Sequence, residues 1–207
     1  MAPDPDDINL SIAQIVSVTE AEGPGKRFAL WFQGCPLRCA GCCNPQMLPF
    51  VGAEQMRLEE VVADVVAAMA HGIEGITLLG GEPMAHAQGA AAFARRVRAL
   101  GLSVMVFTGF TFDELQARRD PHIDDLLGHT DILVDGPYDR ELPDTQRRWI
   151  GSTNQRILFL TERYSADDPC WRRPNTLEIR LVAGEVTLNG FPTAGALGSW
   201  KPARREP

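Results

Sequence analysis

The sequence is short of several features, and each shortage excludes a class of protein. It has no apolar run fit to span a bilayer. Its richest stretch, VVADVVAAMA at 61–70, is interrupted by Asp64, whereas a membrane helix needs about 20 consecutive apolar residues. The first residues, MAPDPDDIN, are acidic and lack the basic start and apolar stretch of a secretory signal. Basic residues are outnumbered, 20 Lys and Arg against 27 Asp and Glu, for a net charge of −7. Nucleic acid is therefore not the expected partner. These features predict a cytoplasmic protein with no membrane segment. Five cysteines are few for a disulfide scaffold, and the number is odd. The histidines, His71, His86, His122 and His129, form no C-x-x-H pair with them.

What is present suits one globular domain. The chain has 207 residues, 44% apolar and 23% charged, which is ordinary usage for a protein with a buried core. Strand-like segments are expected at 8–18, 27–33, 74–80, 102–109, 131–136 and 154–161. Apolar residues recur at helical spacing over 57–70, 90–100 and 111–118. Strands alternating with helices imply βαβ units and a parallel sheet. Five or six strands are too few for a closed eight-fold barrel, which typically takes about 250 residues. A partial barrel and an open doubly wound sheet both fit. Residues 176–190 read as a hairpin around Ala183 and Gly184, within a domain spanning 1–192. The last residues, 193–207, are rich in Gly, Ala and Pro and then basic, and are expected to be a flexible tail.

Four of the cysteines crowd into GCPLRCAGCCNP, residues 34–45. Cys35, Cys39 and Cys42 have the spacing C-x3-C-x2-C in a Gly- and Pro-containing loop. A fully protein-ligated iron–sulfur cluster takes four thiolates. Three would leave one iron of a 4Fe-4S cluster open to bind something else, which makes such a site catalytic rather than only electron-carrying. Zinc is the plainer alternative, but zinc sites show two separated ligand pairs and the sequence has no second pair. Cys43 offers a second register, C-x3-C-x3-C. The Cys42 register is preferred, with Cys43 as a neighbouring thiol and Cys170 as a lone one.

The cysteine motif after one strand, with GGEP at 80–83 after another, resembles the radical S-adenosylmethionine (SAM) superfamily. GPGKRFALWFQGCPLRCAGC at 23–42 is similar to the opening of the enzymes that activate glycyl radical enzymes. VFTGFTFDEL at 106–115, DILVDGPYDREL at 131–142 and IGSTNQRI at 150–157 resemble blocks of the activating proteins of anaerobic ribonucleotide reductase. These blocks run in family order from about residue 13 to 160. Glu22 stands where the family often has Asp, and Cys43 where an aromatic or His is usual. Residues 161–207 lie outside the resemblance.

The resemblance implies a partial, open β/α barrel of the radical SAM type. It also implies two cofactors, a 4Fe-4S cluster on Cys35, Cys39 and Cys42, and SAM. The open iron binds SAM, and reductive cleavage yields a 5′-deoxyadenosyl radical. That radical removes a hydrogen atom from a backbone glycine of a partner, a glycyl radical enzyme, with flavodoxin or ferredoxin as electron donor. Gly80 and Gly81 lack side chains, so a ligand can approach their backbone. The resemblance places this segment at the SAM amino group. Glu82 is a candidate for charge complementarity there without being assigned that contact, and Pro83 fixes the chain as it turns. Thr108 and Asp135 end parallel strands, where α/β sheets build sites; they are candidates for the SAM pocket or for strand-end caps. Asn154, Gln155 and Arg156 are candidates for a site role or for backbone capping. Arg27 lies in a matched block, with a surface ion pair as its plainer explanation. Arg95, Arg96 and Arg98 read as a solvated helix face or a docking surface for the electron donor.

Three functions remain open on the sequence. The first is an activating enzyme of the anaerobic ribonucleotide reductase type. The second is a radical SAM enzyme modifying a peptide or small molecule. The third is a non-catalytic cluster or zinc protein serving as an interaction module.

Overall fold

A computed structural model describes residues 8–182 and 185–191. The proposed tail at 193–207 and the turn at Ala183 and Gly184 lie outside them. No described helix is long and apolar enough to cross a membrane.

The fold is a mixed α/β sheet. Its strands are β1 (Asn9–Thr19), β2 (Arg27–Phe32), β3 (Glu54–Arg57), β4 (Gly75–Gly80), β5 (Ser103–Phe107), β6 (Ile132–Asp135) and β7 (Arg156–Phe159). They lie in the order β3-β1-β2-β4-β5-β6-β7. The central four, β2, β4, β5 and β6, are parallel. β1 runs antiparallel to both β2 and β3, and β7 antiparallel to β6. The expectation of one run of parallel strands is thus corrected at both edges. The link at 20–26 is too short for a crossover, which takes a dozen or more residues, so β1 and β2 form a hairpin.

Four α-helices accompany the sheet: α1 (Leu58–Met69), α2 (Ala87–Ala99), α3 (Phe112–Arg118) and α4 (Pro121–Gly128). Leu58, Val61, Val62, Val65 and Ala68 of α1 are buried, as their three-and-four spacing requires, while Val66 and Met69 are exposed. Thr111 and Glu114 form a reciprocal capping box on α3. Helix α4, not anticipated above, begins at Asp120, whose carboxylate accepts from His122 N at 2.8 Å, with Pro121 at the first helical position. Both are ordinary start signals. The Arg side chains of α2 are not free. Arg95 pairs with Asp125, Arg96 with Glu59, and Arg98 with the buried Asp131.

All the buried apolar side chains of these helices join one cluster, with Phe28, Leu30, Phe32, Ile76, Leu78, Val104, Val106 and Leu133 of the sheet. The opposite face carries Ala29, Trp31, Leu79, Met105, Ile132 and Val134, and is packed by Met47 and Trp171 from short 3-10 turns and by Trp149, Tyr164 and Phe191 from loops. A doubly wound sheet has helices on both faces. Here they lie on one, which removes that alternative.

The C-terminal hairpin is present as expected, as β8 (Leu177–Val182) and β9 (Glu185–Gly190), a separate two-stranded sheet. It docks on the 18–22 segment. Asn189 Nδ2 donates to Thr19 Oγ1 (3.0 Å), Arg180 to the Val18 carbonyl (2.7 Å), and Glu20 N to Glu178 Oε1 (2.7 Å).

Arg27 is fully buried, so the surface ion pair considered for it is wrong. Its Nε donates to Thr77 Oγ1 (2.7 Å), and its guanidinium also reaches Ser103 Oγ (2.9 Å) and the Pro24 carbonyl (3.2 Å). It pins the GPG link to β4 and β5. Arg27→Met keeps much of the apolar stem but strands these buried acceptors. It is expected to lower the unfolding free energy by roughly 3 kcal/mol, at 1–3 kcal/mol per stranded group. Urea unfolding with an unchanged slope measures this; an unchanged midpoint would contradict the role.

Candidate cofactor site

The cysteine loop leaves the C-terminal end of β2 and is closed at its base. Gly34 N donates to the Met47 carbonyl (2.8 Å) and Cys35 N to that of Leu48 (3.0 Å). The Gln33 amide donates to the carbonyls of Gln46 (3.0 Å) and Pro49 (2.7 Å). Between these ties Arg38 (φ 51°) and Gly41 (φ 76°) are left-handed, which curls the chain and puts Cys35, Cys39 and Cys42 on one loop. Cys35 is buried, Cys39 and Cys42 are half-buried, and Cys43 is exposed. Cys42 N donates to the Cys39 carbonyl (3.2 Å), and Asn44 N to Cys42 Sγ (3.4 Å). Burial pushes the Cys35 thiol up, while backbone N–H groups of Leu37 and Arg38 aimed at its sulfur pull it down. Such N–H···S contacts are what clusters use to tune their thiolates.

This donor set fits a 4Fe-4S cluster. It offers three thiolates from one loop, with backbone donors on the sulfurs. Among the described residues no three His, Cys, Asp or Glu side chains meet around one ion-sized point. Thiolates of a cubane each bind a different iron, so they stand farther apart than the ligands of a single ion. Cys170 packs elsewhere, beneath the helix-free face.

The GGEP segment sits against the base of this loop. Gly81 N donates to the Phe32 carbonyl (2.7 Å) and Glu82 N to that of Gly34 (2.9 Å). A Cβ on Gly81 would lie 2.3 Å from the Gly34 carbonyl oxygen, and one on Gly80 2.6 Å from Trp31 Cα. What comes close to these glycines is the chain's own backbone, a constraint additional to the ligand approach expected from the sequence. Pro83 opens a short 3-10 turn, Pro83–His86, and Glu82 caps it. His86 at its end stacks on Phe32 with ring centroids 5.2 Å apart.

Glu82 and Thr108 come together. The buried Glu82 carboxylate accepts from Thr108 Oγ1 (2.8 Å), Met84 N (2.9 Å) and Gly109 N (2.8 Å). Asp135 ends the next strand. It accepts from Phe112 N (2.7 Å), at the start of α3, and pairs through both oxygens with Arg156. Asn154 is exposed and donates to the Pro137 carbonyl (2.7 Å). Gln155 accepts from Gly151 N and Ser152 N (3.1 Å each) and donates to the Gly136 carbonyl (3.1 Å). Asn154 and Gln155 therefore hold backbone, while Arg156 holds the Asp135 carboxylate. The structure brings Gly80, Gly81, Glu82, Pro83 and Thr108 to the base of the cysteine loop, sets Asp135 one strand over, and leaves Asn154 at the surface.

Sequence reasoning missed Gly109. Its N–H holds Glu82, and a Cβ there would lie 2.4 Å from Leu37 Cδ1 of the cysteine loop. Its signal was the TGF of the 106–115 block. It also missed Trp149, whose positive φ of 61° is rare for a bulky residue.

Comparison with known proteins extends this picture. A family profile described as a 4Fe-4S single cluster domain matches residues 21–158. The anaerobic ribonucleoside-triphosphate reductase-activating protein of Salmonella typhimurium (strain LT2) is 32% identical over 155 residues, covering 71% of this chain and 97% of that protein. Its counterpart from Escherichia coli (strain K12) is 32% identical over 158 residues, with the same coverage. That of Enterobacteria phage T4 is 28% identical over 145 residues, 68% of this chain and 88% of that protein.

Two buried carboxylates give the fold an unusual dependence on pH. Burial pushes both Glu22 and Glu82 up to about 7. Each keeps its proton in the folded chain where the unfolded chain, near 4.5, has lost it. Each therefore contributes stability that is full below about 4.5 and is lost as pH rises through about 7, by roughly 3 kcal/mol per group. His86, held below its ordinary value by burial, acts in the opposite sense below about 6.5. The comparison with Glu22→Gln therefore isolates Glu22. The stability of wild type relative to the variant is expected to fall between pH 5 and 8, read by unfolding of the reduced apoprotein. A flat difference would contradict the assignment.

Proposed function

The chain belongs to the family of the anaerobic ribonucleoside-triphosphate reductase-activating proteins, with a 4Fe-4S single cluster domain, and on that premise we propose that it is a radical SAM activating enzyme. Its substrate is a glycyl radical enzyme of the anaerobic ribonucleotide reductase type. When bound, the cluster and SAM would supply the redox chemistry, a one-electron reductive cleavage of the SAM C–S bond to methionine and a 5′-deoxyadenosyl radical able to take a hydrogen atom from a glycine of the partner.

The chain's own residues bind, orient and shield. Cys35, Cys39 and Cys42 are assigned as the three cluster ligands, leaving one iron free. The backbone at Gly80–Pro83 is assigned to SAM, beside the loop base to which it is hydrogen-bonded. Thr108, Asp135 and Asn154 are assigned to the wall of the pocket through the backbone they hold. The finer architecture is an open, partial radical SAM barrel, supported by four parallel strands with helices on one face only. The helix-free face is then the inner one, and its open side admits a loop of the partner. The electron donor is assigned to a flavodoxin or ferredoxin, since the cluster must be reduced one electron at a time. The relatives, activating proteins of anaerobic ribonucleoside-triphosphate reductase, favour this substrate over a peptide or a small molecule.

The observation that carries the proposal is the contact of GGEP with the base of the three-cysteine loop, within a chain related to activating proteins. Anaerobic reconstitution of wild type, Cys42→Ala and Cys43→Ala tests it. Wild type and Cys43→Ala are expected to hold about four irons and to form 5′-deoxyadenosine from SAM with dithionite. Cys42→Ala is expected to lose the cluster and the product. Loss in Cys43→Ala with retention in Cys42→Ala would move the ligand register. Intact clusters that never cleave SAM would contradict the enzyme.

A further inference from the structure

Glu82 has the GGEP position that is a candidate for charge complementarity at SAM, yet its carboxylate is engaged elsewhere. It is almost wholly buried, with 1% of its surface exposed. Both oxygens are occupied. Oε1 accepts from Met84 N at 2.9 Å and Thr108 Oγ1 at 2.8 Å, and Oε2 accepts from Gly109 N at 2.8 Å. Its own N–H donates to the Gly34 carbonyl at 2.9 Å, one residue before Cys35. One residue thus joins three segments: the base of the cysteine loop, the turn after β4 and the end of β5. A second contact links the same segments, because Gly109 lies against Leu37, between Cys35 and Cys39, where a Cβ would stand 2.4 Å from the Leu37 Cδ1 methyl.

We propose that Glu82 is a positioning residue rather than a SAM ligand. It fixes the cysteine loop, and with it the cluster, relative to the backbone at the ends of β4 and β5. Three donors converging on one buried carboxyl group, at 2.8–2.9 Å, restrict where it can sit. The segment that would hold SAM and the loop that would hold the cluster then move as one body. Electron transfer and bond cleavage need that constancy, since a displacement of about 1 Å can cost on the order of a hundredfold in rate. The role rests on the activase reading for its catalytic meaning. The mechanical link between Glu82 and the cysteine loop stands without it.

Length and charge separate this role from its rivals. Gln matches Glu in length and keeps two of the three contacts, without the charge. Asp keeps the carboxyl group but is one methylene too short to reach Thr108 and Gly109. The experiment compares Glu82→Gln, Glu82→Asp and Glu82→Ala with wild type, all reconstituted anaerobically and normalised to bound cluster. The readouts are kcat and KM for SAM cleavage and the electron paramagnetic resonance spectrum of the reduced cluster, with and without SAM. Glu82→Gln is expected to retain kcat within about threefold, while Asp and Ala lose roughly tenfold or more with KM for SAM little changed. The SAM-free spectrum is expected to change in Asp and Ala and to stay near wild type in Gln. The reverse order, with Asp active, Gln inactive and KM raised, would make Glu82 a SAM ligand and overturn the proposal. Variants that lower only the melting temperature, with kcat, KM and spectra at wild-type values, would also overturn it. A wild type that holds its cluster but cleaves no SAM would overturn the activase reading alone, and the SAM-free spectra would still decide the mechanical link.

Discussion

The site depends on one backbone contact, the seating of Gly81 and Glu82 against Gly34. The Gly81 position has no room for a Cβ, and the Glu82 amide is bonded to the Gly34 carbonyl. The register of β2 with β4 delivers this contact, since Phe32 pairs with Gly80 at the ends of the two parallel strands. Each strand then emits its functional segment from the same edge of the sheet. A loop of cysteines and a Gly-rich turn would otherwise be two independent, mobile connections. Joined at their roots, they form a single surface that offers thiolates on one part and bare backbone on the other.

The one-sided distribution of helices carries the next constraint. Helices α1 to α4 bury one face of the sheet, leaving the other to irregular segments and to side chains such as Trp149, Tyr164 and Trp171. Much of that covering comes from beyond residue 158, where the family match ends. Phe191 stacks on Phe107, the last residue of β5, with centroids 6.2 Å apart. The hairpin beyond Thr176 is tied through Asn189 and Arg180 to the 18–22 segment. The added C-terminal part is therefore integrated with the N-terminal half of the chain. It leaves the cysteine loop to the part shared with relatives.

Much of this was legible in the residues. The parallel core, the hairpin and three of the four helices follow from periodicity, because apolar spacing reports which face is buried. The cysteine spacing pointed to an iron–sulfur cluster because thiolate ligands answer to the cluster's chemistry, and SAM followed from the resemblance of the ordered blocks; that GGEP is held by the chain's own backbone was not visible. The direction of β1 and β7 was not legible from apolar residues alone; β1 alternates buried with partly buried residues and β7 buries none fully, unlike the continuously buried central strands, and only the length of the 20–26 link betrays the first. Arg27 misled because Arg is almost never fully buried, and its partners, Thr77 and Ser103, lie on other strands. Asp135 and Gln155 were recognisable as belonging to blocks. Their hold on the backbone at Phe112 and Gly136 spans 23 and 19 residues, which no local pattern encodes. Helix α4 is different: the Asp120–Pro121 start was there to be read.

The central claim is that this chain transfers radical character to a protein glycine. The most direct measurement mixes the reduced, cluster-loaded chain and SAM with its partner reductase and records electron paramagnetic resonance, in parallel with a partner grown on glycine deuterated at the α carbon. The account predicts an organic radical signal on the partner, with a hyperfine doublet that collapses in the deuterated sample. SAM cleavage in the mixture with no radical on the partner, or a signal indifferent to deuteration, would contradict it.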